Sequence, residues 1–447
     1  MSGHAPISEA APRRRARRKQ HALAIAPAKP GDYAAALRFL TSVFRSPSPA
    51  EFRATVEDPA HEPGDRLLIK QGHDVLGHAL VAHRKIRLGR SVVPAASLQD
   101  LATAPELREQ GFGALLLRRA ERQMIDEQNV LGLLATTTPR FFHRLGWTPC
   151  GRHNQYAASV HKILSVLAAK GLYPKIRKPL DIRPLRRMEI AKVANVYQVN
   201  VAERHGPFER SEAHWHWLIN RGAYDEFLVA IDRRDKRRSA DRTAEIVGYA
   251  ILKGNRIVEL FTLPDHGKAG VQLLSRACGE AIERGVDTLY IDLAPQNRLA
   301  RILKAAGALP PTENRQDDVL MAKILCPERM LRLLGCEFVG RATAADLPMP
   351  LDFGLAVGQQ KYQISIDSHR TGNGHSPHSI DIATGSMGRS YLRIDPSRLA
   401  ELFLGQIDWN SPGDIEFSTK LAEQAATALF PRHTLWRPPL DDVPTEK

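Results

Sequence analysis

Cysteine is scarce. Among 447 residues there are four, Cys150, Cys278, Cys326 and Cys336, with no C-x-x-C pair and no histidine spacing suited to zinc. A disulfide-built scaffold is thereby excluded and a metal site is not expected, so the thiols read as reduced and mostly buried. Long apolar runs are lacking too. No window approaches the roughly 18 consecutive apolar residues of a membrane span, and the start has no apolar core of a secretory signal, so a soluble, cytoplasmic protein is expected. With 43% apolar and 25% charged residues the composition is globular, and the length suggests about three domains.

Acidic residues are outnumbered, at a formal net charge of +14. The excess is uneven: Arg13, Arg14, Arg15, Arg17, Arg18 and Lys19 crowd one segment that also carries Ala and Pro. Such a run can hold a nucleic-acid backbone or an anionic membrane, but it reads more simply as a solvated, disordered tail over residues 1–21. Beyond that tail nothing points to nucleic acid.

The one sharp chemical signal is Leu98 to Glu121, LQDLATAPELREQGFGALLLRRAE. Leu98, Leu101, Ala102 and Thr103 read as a buried strand that Pro105 stops, and Leu115, Leu116 and Leu117 with the charges beyond them give a helical period starting close to Gly111. Between the two lies Arg108-Glu109-Gln110-Gly111-Phe112-Gly113. Two glycines there admit a ligand to the main chain, and the first-turn N–H groups and the positive end of the helix dipole converge on one spot. An anion such as a phosphate belongs at that spot. A G-x-G alone is also compatible with an ordinary turn or another kind of phosphate site.

This stretch resembles motif A of the GNAT acetyltransferase superfamily, [RQ]-x-x-G-x-[GA], with Arg108, Gly111 and Gly113 at the matching positions. The resemblance continues through a strand at Leu131 to Thr136, a helix at Pro139 to Leu145, and Gly146-Trp147. It implies acetyl-CoA as co-substrate. Leu101, Ala102 and Thr103 of the strand and Arg108, Glu109, Gln110, Gly111, Phe112, Gly113 and Ala114 of the loop would bind it, and the main chain around Ala102 and Thr103 would face the carbonyl oxygen.

Ahead of the motif, a strand at Ala22 to Ala26, helices starting near Asp32 and Ala50, and a hairpin of Arg66 to Gln71 with Val75 to Arg84 fit the same superfamily order. After a basic linker at Lys170 to Pro179 the order returns: a strand at Leu180 to Leu185, a helix at Ala191 to Val201, and a hairpin of Phe227 to Ile231 with Glu245 to Leu252 across a charged loop. A strand at Ile257 to Leu263 then leads to a helix at Gln272 to Ile282. The turn between those last two, Pro264 to Gly270, carries Asp265 and lacks the Arg and G-x-G spacing, so it resembles a copy that has lost its cofactor loop. In His214-Trp215-His216-Trp217 the two histidines share no helical face, so core packing is expected rather than a metal. From Met330 come alternating strands and two helices, and Asp395 to Gly405, DPSRLAELFLG, resembles a sterol-carrier-protein-type domain.

The order as a whole resembles the enhanced intracellular survival (Eis-like) N-acetyltransferases. The expected fold class is therefore α/β (α+β), with two GNAT-like mixed-sheet domains at 22–169 and 170–329, a sterol-carrier-like domain at 330–430 and a tail at 431–447, Trp436 its only large anchor. The resemblance implies acetyl transfer to a primary amine on a small molecule or peptide, and a homo-oligomer, commonly a hexamer. The other reading is a CoA-binding sensor or scaffold with little turnover.

An amine of pKa about 10.4 must lose a proton before attacking a thioester. Asp100 on the strand beside the loop is the candidate carboxylate, against the alternative of a carboxylate without a role. The leaving thiolate is protonated in the family by a tyrosine whose position here is Phe142, so the expected acid is absent. The family also places its C-terminal carboxylate in the first active site; residues 431–447 extend past where a family-like chain would end, which leaves the reach of Lys447 open.

Overall fold

The computed structural model describes residues 23–151, 155–173, 179–232, 245–309, 319–368, 378–410 and 413–441. The basic run Arg13–Lys19, nearly all of the charged loop after Asp232, residues 174–178 of the linker and Lys447 lie outside the described residues.

The chain opens with β1 (Ala24–Pro27), α1 (Tyr33–Phe44) and α2 (Pro49–Val56), the latter held by a capping box in which Ser48 and Glu51 satisfy each other's main-chain N–H. Tight turns at Gly72 and Gly89 then fold β2 (Arg66–Gln71), β3 (Asp74–Leu88) and β4 (Ser91–Thr103) into an antiparallel meander. β3 outruns the expected second strand of the hairpin, which ended at Arg84, and β4 begins at Ser91, ahead of the strand expected from Leu98. α3 (Phe112–Asp126) lays Leu116, Leu117, Ala120 and Met124 as one buried stripe on the sheet, and β5 (Leu131–Thr136) enters parallel to β4.

Sheet membership crosses the boundary expected between residues 169 and 170. Strand Val319–Ile324 pairs antiparallel with the whole of β5 in an eight-stranded sheet, while Gln155–Ser159 pairs with Thr288–Asp292 in a second sheet, of six strands. The physical cause is that Gln155–Ser159 runs straight into helix Val160–Ala169, whose Ile163 and Leu167 pack in the core of helix Gly267–Glu283. The two units thus exchange an edge. A third sheet, Leu351–Val357 at its centre, closes on a core in which Phe338, Phe353 and Phe403 surround Phe430 at ring-centroid distances of 5.2 to 6.4 Å.

From there residues 431–441 run back over the second unit, where Trp436 donates to His205 O and Leu435, Trp436 and Leu440 are buried. Trp436 is therefore one of several anchors. Of the cysteines, all free, Cys150 and Cys278 are buried, but Cys326 is half-buried and Cys336 exposed, because Cys336 sits on helix Gly335–Ala344 whose core side is taken by Phe338 and Ala342. Among the described residues no helix is long and apolar enough to cross a membrane.

Candidate active site

The strands β4 and β5 pair only over Ala95–Ser97 and Leu131–Leu133. Past these residues they part, and a cleft of about 1410 Å³ opens between Leu98–Thr103 on one side and Leu134–Thr138 on the other. On its β3 edge, β4 carries a bulge: Leu80 faces Gln99 and His78 faces Ala102, so Asp100 and Leu101 stand opposite Ala79 alone. Asp100 has φ 51°, a left-handed conformation that is uncommon for a residue with a side chain.

The loop that follows is built for close approach. Leu107 is buried at the end of a short turn, Arg108 is extended, and Gly111 sits at φ 86° as the residue that starts α3 without any side-chain cap. A Cβ on Gly111 would have nothing within 4 Å, so the space over it belongs to the cleft. The first intrahelical bond runs from Leu115 N–H to Gly111 O, which leaves the amides of Phe112, Gly113 and Ala114 with no acceptor in the helix. Donors, dipole and open space coincide, which fits a bound pyrophosphate. A side chain on Gly113 would meet the Phe141 ring at 3.6 Å.

Of the residues expected to bind co-substrate, Leu101, Ala102, Thr103, Arg108, Glu109, Gly111, Gly113 and Ala114 line the cleft. Two side chains turn elsewhere: the Gln110 amide donates to Glu106 O at 2.6 Å, and Phe112 packs on the core beneath α3.

Asp100 also lines the cleft, and its carboxylate makes no hydrogen bond or ion pair among the described residues. Burial pushes its pKa above the usual carboxylate value, the nearby Arg66 charge opposes that, and Glu51 adds to it. Phe142 is buried, edge-on to Phe141 at 4.9 Å and to Trp147 at 6.4 Å, and still reaches the cleft wall. His143 is exposed beside it.

The far wall was not legible in the sequence. It takes Glu51, Thr55 and Asp58 from α2 and its end, Arg84 from β3, and Trp217 and Arg221 from helix Glu212–Asn220 and its end in the second unit. Trp217 Nε1 donates to Ala54 O at 2.7 Å, tying that helix to α2, and Asp58 pairs with Arg84. The packing expected of Trp217 is seen, but His214 has a partner as well, Asp441 at 3.0 Å. Asp441 and Arg437 of the returning C-terminal segment complete the wall.

Asp441 is fixed by Arg210, which is fully buried between Tyr197 and Trp215 at 4.1 and 4.7 Å and is shared with Glu259. Burial would raise the Asp441 carboxyl, but Arg210 and His214 outweigh it and hold it well below the usual range. One local signal existed: Arg210 lies four residues ahead of a histidine in an aromatic-rich helix.

Residues 24–150 match the family model described as an acetyltransferase (GNAT) domain. No curated protein matches the chain by sequence. In fold the chain is similar to a GCN5-related N-acetyltransferase from Anabaena variabilis ATCC 29413, at 18% identity and a TM-score of 0.68 over 93% of this chain and 99% of that one. A GCN5-related N-acetyltransferase from Kribbella flavida gives 15% identity and 0.65 over 93% and 99%. Eis1 from Mycobacterium abscessus gives 14% and 0.61 over 92% and 98%. At such identities the likeness is one of fold. With its GNAT domain the chain is an acyltransferase that uses an acyl-CoA.

Proposed function

We propose that the chain moves an acetyl group from acetyl-CoA to a primary amine by direct attack on the thioester, with Asp100 as the group that receives the amine's proton. The observation that carries this reading is a carboxylate with no hydrogen-bond or ion-pair partner among the described residues, raised on a bulge at the point where β4 and β5 part. An ammonium group entering the cleft meets its natural counter-ion there. Once the proton passes to Asp100, the nitrogen lone pair attacks the carbonyl carbon, and the oxygen takes the negative charge beside the main chain of Ala102 and Thr103. Collapse breaks the C–S bond as the nitrogen gives its second proton to water, and the thiolate takes a proton from that water, since Phe142 offers none.

The co-substrate would be held by the amides of Phe112, Gly113 and Ala114 over the open face of Gly111. Overlap in fold with Eis1 along nearly the whole chain supports reading the chain as Eis-like, with its last unit of sterol-carrier type. We extend the same reading to a homo-oligomer.

Thiol release from acetyl-CoA with a panel of primary amines tests the proposal. Asp100→Asn is expected to lower kcat by about 10²- to 10⁴-fold, the usual worth of a general base, with CoA affinity unchanged by calorimetry. A D100N enzyme as fast as wild type sinks the assignment of the base, and no acetylated amine from any of the panel sinks the acceptor class.

A further inference from the structure

Beneath the bulge that carries Asp100 lies a guanidinium with an unusual set of partners. Arg66 of β2 is completely buried and makes no ion pair among the described residues. Its Nη1 lies 3.1 Å from His78 Nε2, its Nη2 donates to Thr55 Oγ1, its plane covers the Phe52 ring at 4.2 Å, and its Nε has no partner. Taking a full charge out of water with so little return is costly. A compensating anion is therefore called for, and the one whose charge Arg66 feels most is Asp100.

The imidazole between them has a fixed tautomer. Arg66 only donates, so Nε2 of His78 accepts, and Nδ1 carries the proton that goes to the Asp100 main-chain oxygen at 2.9 Å. Burial and the Arg66 charge together keep this histidine neutral, its pKa pushed down to about 3. The bond lands on the one β4 residue that is left-handed, where the chain needs support to stay.

We propose that Arg66 and His78 are positioning residues for acetyl transfer: the guanidinium orients the imidazole, and the imidazole N–H pins the Asp100 carbonyl so that the bulge presents the Asp100 carboxylate and the main chain of Leu101–Thr103 to the cleft. This rests on the reading of Asp100 as the base. The groups facing Asp100 are Arg66 from β2, His78 from β3 and Glu51 from α2, with Tyr33 of α1 beyond Arg66. Arg66 has a second effect through its charge, which favours the ionised carboxylate that can take a proton.

Two comparisons test it in the full chain. His78→Asn places an amide N–H where Nδ1–H was, whereas His78→Leu fills the space and donates nothing. H78L is expected to lose about 10- to 100-fold in kcat, the scale of a misplaced reacting group, with acetyl-CoA KM unchanged, and H78N is expected to recover most of it. Should H78L not accumulate as folded protein, His78→Gln replaces it, because its amide reaches the Nε2 position and leaves Nδ1 empty.

In the second comparison Arg66→Met is set against Arg66→Lys. Loss of the positive charge raises the Asp100 pKa, so the acidic limb of the kcat/KM profile should move to higher pH by about one unit in R66M and stay near wild type in R66K. A donor that merely stabilises the fold would move the melting temperature and leave the limb in place. Equal kcat in H78N and H78L, or an acidic limb in R66M that coincides with wild type, overturns the proposal. Activity retained in Asp100→Asn overturns the base instead, and the His78 pair then still reads the alignment of the main chain after the bulge.

Discussion

Two strand-to-helix turns hold the same place in two units of the same element order, and they have opposite fates. In the first, Gly111 starts α3 in a left-handed conformation with open space where a side chain would be. In the second, the turn Pro264–His266 leads into helix Gly267–Glu283 with ordinary geometry, Ala269 and Gly270 are buried, and a Cβ on Gly270 would touch Leu299 at 3.4 Å. The first helix start keeps open space over its glycine, whereas the second, exposed at Gly267, is packed by its own protein from Ala269 on. The second unit spends its polar groups elsewhere, on the buried Arg210 that clamps Glu259 and Asp441 and so brings the C-terminal segment to the first unit's cleft.

The largest effect should come from breaking that clamp. Asp441→Asn leaves Arg210 with one carboxylate in a buried site, and removing a partner from such a pair costs about 3 to 5 kcal/mol. We expect the lower end, because Glu259 remains. The carboxyl is depressed in the folded state, so its contribution is complete above the unfolded value of about 3.9 and fades only as the pH falls through the lower folded value. Denaturant melts from pH 5 to 8 should show a constant gap between wild type and D441N, closing only below about pH 4. A gap that widens toward acid would contradict the assigned ion pair.

Next in size is the loop itself. Gly111→Asp forces a side chain into a left-handed position, at about 1 to 2 kcal/mol, and sets a like charge against the pyrophosphate. CoA affinity should fall by at least about 100-fold, or about 2.7 kcal/mol. Gly267→Asp in the second unit sits at an exposed helix start, where a carboxylate suits the dipole, and should change neither affinity nor melting temperature. Calorimetry should also give one CoA per chain. A stoichiometry of two, or a loss in G267D to match G111D, would erase the contrast between the turns.

Local signals were legible and long-range ones were not. The run from Leu98 to Glu121 carries its own punctuation in Pro105 and the Gly111–Gly113 pair, so the strand, loop and helix appear where they were expected. The earlier half of β4 was missed because Pro94 and the charged stretch Arg84–Arg90 hide its alternation. The exchange of Gln155–Ser159 and Val319–Ile324 between sheets depends on partners more than 100 residues away, which periodicity does not encode. The far wall of the cleft is a similar case: Asp58, Trp217 and Asp441 line it together only because α2, the second unit and the C-terminal segment converge. His214 had looked like core packing alone, since its carboxylate lies far along the chain.

The smallest effect, and the finest probe of the first unit, concerns Phe142. Its ring packs edge-on to Trp147 and Phe141 yet reaches the cleft, so a hydroxyl added at its tip points either to the thiolate or into the core. If the ring occupies the place from which a proton is given to the leaving group, Phe142→Tyr supplies that proton at little steric cost. The gain is made in the transition state, so kcat should rise while KM stays level. With water as the proton donor in the proposed route, we expect a few-fold up to about tenfold, short of the 10² to 10⁴ of a fully built acid. A hydroxyl turned into the core instead would go unpaired and cost about 1 to 3 kcal/mol of stability. Melting temperature and turnover must therefore be followed together. A folded, equally stable F142Y enzyme with no gain on any accepted amine would show that protonation of the thiolate does not limit the rate, and would remove Phe142 from the catalytic account.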